Sequence, residues 1–246
     1  MTDIKTQLGA QSYCFRGFKD NATVIAKLKE CGLDKIELCG VHADFSNESQ
    51  FDEVIKQYAD GGVEIVAIGV QSFKNDEAAE RKYFEFARRA GAKFISCDFA
   101  VEGMPQCLDT AQKVAAEFDI KLAIHNHGGK HWLGSGQMLK HILKNTDESI
   151  GLCLDTAWAL DAGEDPLQLV KDCANKLYGL HIKDFIFDRA RHPEDVVVGS
   201  GNLNLAELRS TLEAVNFSGY AVLEYEGDVE NPVPALTKCV EAVRAS

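Results

Sequence analysis

Between residues 8 and 245 the spacing of apolar side chains switches from a period of two to a period of 3.6 and back, eight times. The strand-like runs are Leu8–Cys14, Lys35–Cys39, Val63–Val70, Lys93–Asp98, Ile120–His127, Ile150–Asp155, Leu177–Asp184 and Tyr220–Glu226. Helix-like runs lie between them at Asn21–Cys31, Ser49–Gly61, Asp76–Ala90, Pro105–Phe118, Gly136–Asn145, Pro166–Ala174 and Asn204–Val215, and Pro232–Ala245 closes the series. Punctuation supports these bounds. Pro166 follows Asp165 as a first-turn proline behind a cap, and Gly32, Gly61-Gly62 and Gly91 follow helix ends. Each unit takes about 31 residues, within the range of a βαβ repeat. Eight such units predict a single (β/α)8 TIM barrel over residues 1–246. A doubly wound open sheet usually carries a glycine-rich phosphate turn after its first strand, and Ser12-Tyr13-Cys14-Phe15-Arg16-Gly17 is a poor one.

Charge and cysteine usage narrow the function classes. Against 26 Lys and Arg stand 38 Asp and Glu, a formal net charge of −12. That surplus argues against a nucleic-acid footprint, which needs clustered cations, but it suits a divalent cation. No apolar run is long enough to span a bilayer, and Met1-Thr2-Asp3-Ile4-Lys5 has no secretory character. The eight cysteines are scattered without a C-x-x-C pair and read as small hydrophobes in a reducing, cytoplasmic compartment.

A barrel does its chemistry at the C-terminal ends of its strands. Those ends carry Glu37, Asp98, His125 and His127, Asp155, His181 and Lys183, and Glu224 and Glu226. Residues two apart on a strand share a face, so 125 with 127, 181 with 183 and 224 with 226 can all point inward. Polar groups there are costly without partners, and this many N and O donors can form a shell for Mn²⁺, Zn²⁺, Co²⁺ or Fe²⁺.

Leu152-Cys153-Leu154-Asp155-Thr156, Leu180-His181-Ile182-Lys183-Asp184, Gly199-Ser200-Gly201-Asn202-Leu203-Asn204 and Leu223-Glu224-Tyr225-Glu226 resemble the xylose isomerase-like barrels, the sugar isomerase/epimerase and endonuclease IV superfamily. The resemblance covers nearly the whole chain. It implies a divalent metal, Mn²⁺ first, with Zn²⁺, Co²⁺, Mg²⁺ or Fe²⁺ as alternatives, held by Asp155, His181 and Glu224. Relatives carry a glutamate on strand 5, where this chain has His125-Asn126-His127. His125 then either replaces the acidic ligand or stays unligated. Trp158 stands where relatives place a further histidine, so the paired-acid apparatus of an epimerase is weakened.

The resemblance thus implies an isomerase- or epimerase-like enzyme moving a proton at the α-hydroxyketone of a small sugar, keto-sugar or cyclitol. The alternatives are a lyase, dehydratase or hydrolase acting on 3-keto-glycosides or inososes by β-elimination, and a non-catalytic sugar-binding subunit. A DNA-repair endonuclease would need a basic crescent that a charge of −12 does not offer. Expected catalytic groups are His127 and Glu226 for proton transfer, Lys183 for developing negative charge, and Glu37. Glu37 can instead pair with a neighbouring cation, and Lys183 with Asp184. His131 and Trp132, among the glycines after strand 5, and Trp158 are expected to contact the sugar, while His42, His141 and His192 read as solvated. The expected partner is a small carbohydrate, without nucleic acid or membrane, in a homodimer or with a second subunit.

Overall fold

A computed structural model describes residue 4 and residues 6–246; the remainder of the start weighed above as a leader lies outside the described residues. Eight parallel strands close into a barrel: β1 (Leu8–Gln11), β2 (Lys35–Leu38), β3 (Glu64–Phe73), β4 (Phe94–Phe99), β5 (Lys121–His125), β6 (Ile150–Asp155), β7 (Leu177–Ile182) and β10 (Tyr220–Leu223). β10 pairs β1, Leu8 opposite Ala221, and this closes the ring. Helices α1 (Asn21–Glu30), α2 (Phe51–Asp60), α3 (Glu77–Ala90), α4 (Gln106–Phe118), α5 (Gly136–Lys144), α7 (Pro166–Asp172), α8 (Leu205–Ala214) and α9 (Val233–Ala245) follow the strands in turn. None of the described helices is long and apolar enough to cross a membrane.

Local chemistry sets the helix ends. Asp20, Asp76 and Asn204 each accept the backbone N–H three residues on, and Asp165 caps the helix that opens with Pro166. Gly91 ends α3 at φ +72°, a left-handed conformation that favours glycine. Inside the barrel, Ala67, Phe94, Ala123 and Cys153 pack as a separate buried cluster. Gly179 leaves room for it, because a Cβ there would come within 2.5 Å of the Phe94 ring.

Three features depart from the sequence pattern. Several strands stop short of their apolar runs: β1 gives way to a 3₁₀ turn at Ser12–Phe15, and β5 ends at His125. A short helix, α6 (Thr156–Asp161), starts directly on Asp155. Between β7 and α8 an antiparallel ribbon forms from β8 (Asp184–Phe187) and β9 (Pro193–Val196).

Two polar residues also behave differently from expectation. His42 is buried; its Nδ1 lies 3.1 Å from Ser12 Oγ and its Nε2 2.9 Å from the Phe18 carbonyl, so it ties the β1 and β2 loops together. Asp184 does not pair with Lys183. Its carboxylate accepts the backbone N–H groups of Gly199, Gly201, Asn202 and Leu203 at 2.8–2.9 Å, which accounts for the glycine-rich segment there. His141 and His192 are exposed, and His192 pairs with Asp188 at 2.9 Å. All eight cysteines are buried and free.

Candidate metal centre and active site

The ends of β5, β6, β7 and β10 bring His125, Asp155, His181 and Glu224 together, with one donor atom from each within 4.8 Å of the others. All four are buried. His125 Nε2 stands 3.6 Å from Asp155 Oδ2 and 3.7 Å from Glu224 Oε2, and His181 Nδ1 is 2.6 Å from Glu224 Oε2. Burial opposes ionisation of Glu224, but Lys183 and the two imidazoles outweigh it and hold the carboxyl well below its usual range. Burial likewise opposes protonation of His125, and the carboxylates of Asp155 and Glu224 raise it.

The unsatisfied atoms point to what belongs here. Both ring nitrogens of His125 and Oδ2 of Asp155 are buried without a hydrogen-bond partner. Such groups are costly unless something fills the space between them. Two imidazoles and two carboxylates are a mixed N/O donor set that fits a divalent cation.

Surrounding groups aim two of the four donors, Asp155 and His181. Asp155 caps α6 by accepting the Trp158 N–H on Oδ1 at 2.8 Å, which leaves Oδ2 turned to the cluster. The Asn126 amide grips both the N–H and the carbonyl of Asp155, at 2.7 and 3.0 Å. Glu37 Oε2 lies 2.9 Å from His181 Nε2, while its Oε1 accepts from Ser96 Oγ and from Gln11 Nε2 at 3.5 Å. Both Glu37 oxygens are therefore committed and the residue is fully buried. Its contact with His181 Nε2 leaves Nδ1 of that ring turned to the other donors.

Above the cluster lie the other expected residues. His127 Nε2 is 3.6 Å from Asp98 Oδ2, and the His127 ring packs 5.0 Å from that of His125 and 4.3 Å from that of His131. Burial would raise Asp98, yet hydrogen bonds from His127 and Ser72 hold it below its usual range. The Lys183 ammonium is buried against Glu226, 3.5 Å from Asp195, and sits over the rings of Trp158 and Phe185 at 5.4 and 5.5 Å. His131 is exposed. Trp132 is half-buried and donates its indole N–H to the Phe99 carbonyl at 3.1 Å.

Sequence reasoning missed Asp195, which the ribbon carries to Lys183. Burial pushes its carboxyl up to about 7 despite the lysine. Pro193-Glu194-Asp195 has no strand pattern, so no signal in the sequence could have placed it. A slot of about 340 Å³ opens beside Glu224, lined by Gln11, Tyr13, Cys39, Val41 and Val70 among others.

A family model described as a xylose isomerase-like TIM barrel matches residues 25–244. An inosose dehydratase of Geobacillus kaustophilus is 22% identical over 228 residues, which span 85% of this chain and 73% of that protein. One from Clostridium perfringens is 21% identical over 203 residues, 74% of this chain but 65% of that protein. Among solved structures, the 3-keto-D-glucoside 4-epimerase YcjR from E. coli superposes with a TM-score of 0.76 at 19% identity, over 98% of this chain and 99% of that one.

Proposed function

The chain belongs to the xylose isomerase-like TIM barrel family, and from that premise we propose that it is a divalent-metal-dependent enzyme removing the proton α to the ketone of a keto-sugar or cyclitol. It is an enzyme of the isomerase, epimerase or lyase kind. One observation carries the reading: four buried donors from four strands converge within 4.8 Å while three of their atoms have no partner.

His125, Asp155, His181 and Glu224 would hold the ion, Mn²⁺ being the first choice, and it supplies Lewis acidity to a ketone oxygen when bound. The chain's own groups move the protons. His127 takes the proton from the carbon α to the ketone, and Asp98, 3.6 Å from its Nε2, stabilises the imidazolium so formed. Lys183 stands with Glu226 and Asp195. Lys183 faces negative charge growing on the substrate, and a carboxyl beside it returns a proton to a leaving oxygen.

A base and a separate proton donor of this kind suit β-elimination of water. The C–H electron pair becomes the new C=C bond, the β C–O bond breaks, and the oxygen leaves as water once protonated. Epimerisation would instead return the proton to the opposite face of the same carbon. Trp158, with Phe185, forms an apolar wall under the lysine. The test is turnover against inososes, 3-keto-glucosides and free ketoses with Mn²⁺ in deuterated water. An unsaturated product supports elimination; deuterium at the α-carbon of an unchanged skeleton supports epimerisation; no turnover of any member sinks the enzyme reading for these substrates.

A further inference from the structure

The loop after β5 and the turn of the β8–β9 ribbon face each other across a groove of about 610 Å³. Its lining includes Gly129, Lys130, His131, Asp161, Arg191 and His192. In a chain of net charge −12 this is a local reversal of sign. The one carboxylate among these side chains, Asp161, is already used: its Oδ2 accepts the Gly129 N–H at 3.2 Å and holds the glycine loop in place. Asp188, at the base of the turn, is paired with His192.

The basic groups are differently situated. No ion pair engages Lys130 among the described residues, and its side chain is exposed. Arg191 lays its guanidinium over the Phe187 ring at 4.2 Å and gives Nη2 to the Leu160 carbonyl at 3.3 Å. These contacts fix the plane of the fork while leaving other N–H donors free. His131 accepts the Leu133 N–H on Nδ1 at 3.2 Å, so its neutral ring carries the proton on Nε2 and is a donor. Partial burial and the neighbouring His127 shift that ring below the usual histidine range.

The groove also adjoins the mouth. Two ring spacings, 5.0 Å from His125 to His127 and 4.3 Å from His127 to His131, lead from the cluster to its edge. An uncommitted ammonium, a fixed guanidinium and an imidazole donor form an arrangement suited to a small oxyanion. We propose that this groove is an oxyanion subsite, which takes a phosphate monoester or a carboxylate on the far end of the substrate from the reacting ketone. Only the placement of the ketone rests on the function proposed above; anion binding in the groove does not.

The experiment is an amide NMR titration of the full chain and of its Glu224→Gln variant, with inorganic phosphate in one arm and acetate in the other. Saturable shifts at Gly129, Lys130, His131 and Arg191 are expected in both proteins. The Lys130→Ala/Arg191→Ala variant is expected to weaken binding at least tenfold. A response to phosphate alone assigns a phosphate monoester, and a response to both anions extends the assignment to carboxylates. Absent or non-saturating shifts, or shifts that the double variant leaves unchanged, overturn the subsite. Persistence of the response in Glu224→Gln separates it from the metal reading, because that variant alters a proposed ligand that lies outside the loop, the short helix and the ribbon lining the groove. A turnover panel of keto-sugars with and without a terminal phosphate is the second readout, in which loss of selectivity in the double variant is the expected result.

Discussion

His181 and Glu37 face each other 2.9 Å apart, imidazole Nε2 to carboxylate Oε2, though they stand 144 positions apart in the chain. The contact sets the tautomer of the histidine and leaves Nδ1 for the cluster. Glu37→Gln keeps the shape and removes the charge that holds the ring. Metal affinity is expected to fall about 10- to 100-fold, as for other carboxylates that orient a ligating histidine. Competition with a fluorescent chelator measures it, and unchanged affinity would reassign Glu37 to packing alone.

Removing ligands is the direct test of the centre. Asp155→Ala/His181→Ala is expected to purify without the divalent ion and without activity, as read by elemental analysis and the substrate panel. Asp155 also caps α6. Even the metal-free variant should therefore lose about 0.5–2 kcal/mol of stability. Full metal retention contradicts the ligand assignment.

Asp195 predicts a pH dependence whose sign is fixed. Its folded carboxyl titrates at about 7, above an ordinary aspartate, because burial disfavours the charged form. Between about pH 4 and pH 7 the folded state then binds more protons than the unfolded state. Its contribution is complete below about pH 4 and declines as pH rises, by up to about 4 kcal/mol across the window. Asp195→Asn should flatten that slope in urea titrations at several pH values. If Asp195 returns the proton to the leaving oxygen, the fall in kcat above pH 7 disappears in the same variant. An identical slope in both proteins removes Asp195 from either role.

Asp184 is a structural counterpart, accepting four backbone N–H groups that would otherwise be stranded. Asp184→Ala should cost at least about 3 kcal/mol, since hydrogen bonds to a buried charge are among the stronger ones. Equilibrium denaturation reads the loss. A change below about 1 kcal/mol would mean that the loop finds other acceptors or water.

Much of this was legible in the chain itself. The switching apolar period reports which face of each element is buried, a local property, so eight strands, their helices and the barrel could be read directly. Asp155, His181 and Glu224 were also legible as charged residues ending apolar strands, which is where a barrel opens. Tertiary structure decided the rest. Whether a strand-end acid acts or orients depends on which side chains the closed ring sets beside it, and Glu37 met His181, Ser96 and Gln11. The ribbon that delivers Asp195 is held by cross-strand pairing and has largely exposed ends, so it leaves no apolar period to find. His42, too, is buried only because the β1 and β2 loops close over it. Sequence by itself determined the scaffold and the kinds of donor at its mouth. Contacts between residues far apart in the chain, fixed only once the barrel closes, decided which of those donors keep a free lone pair.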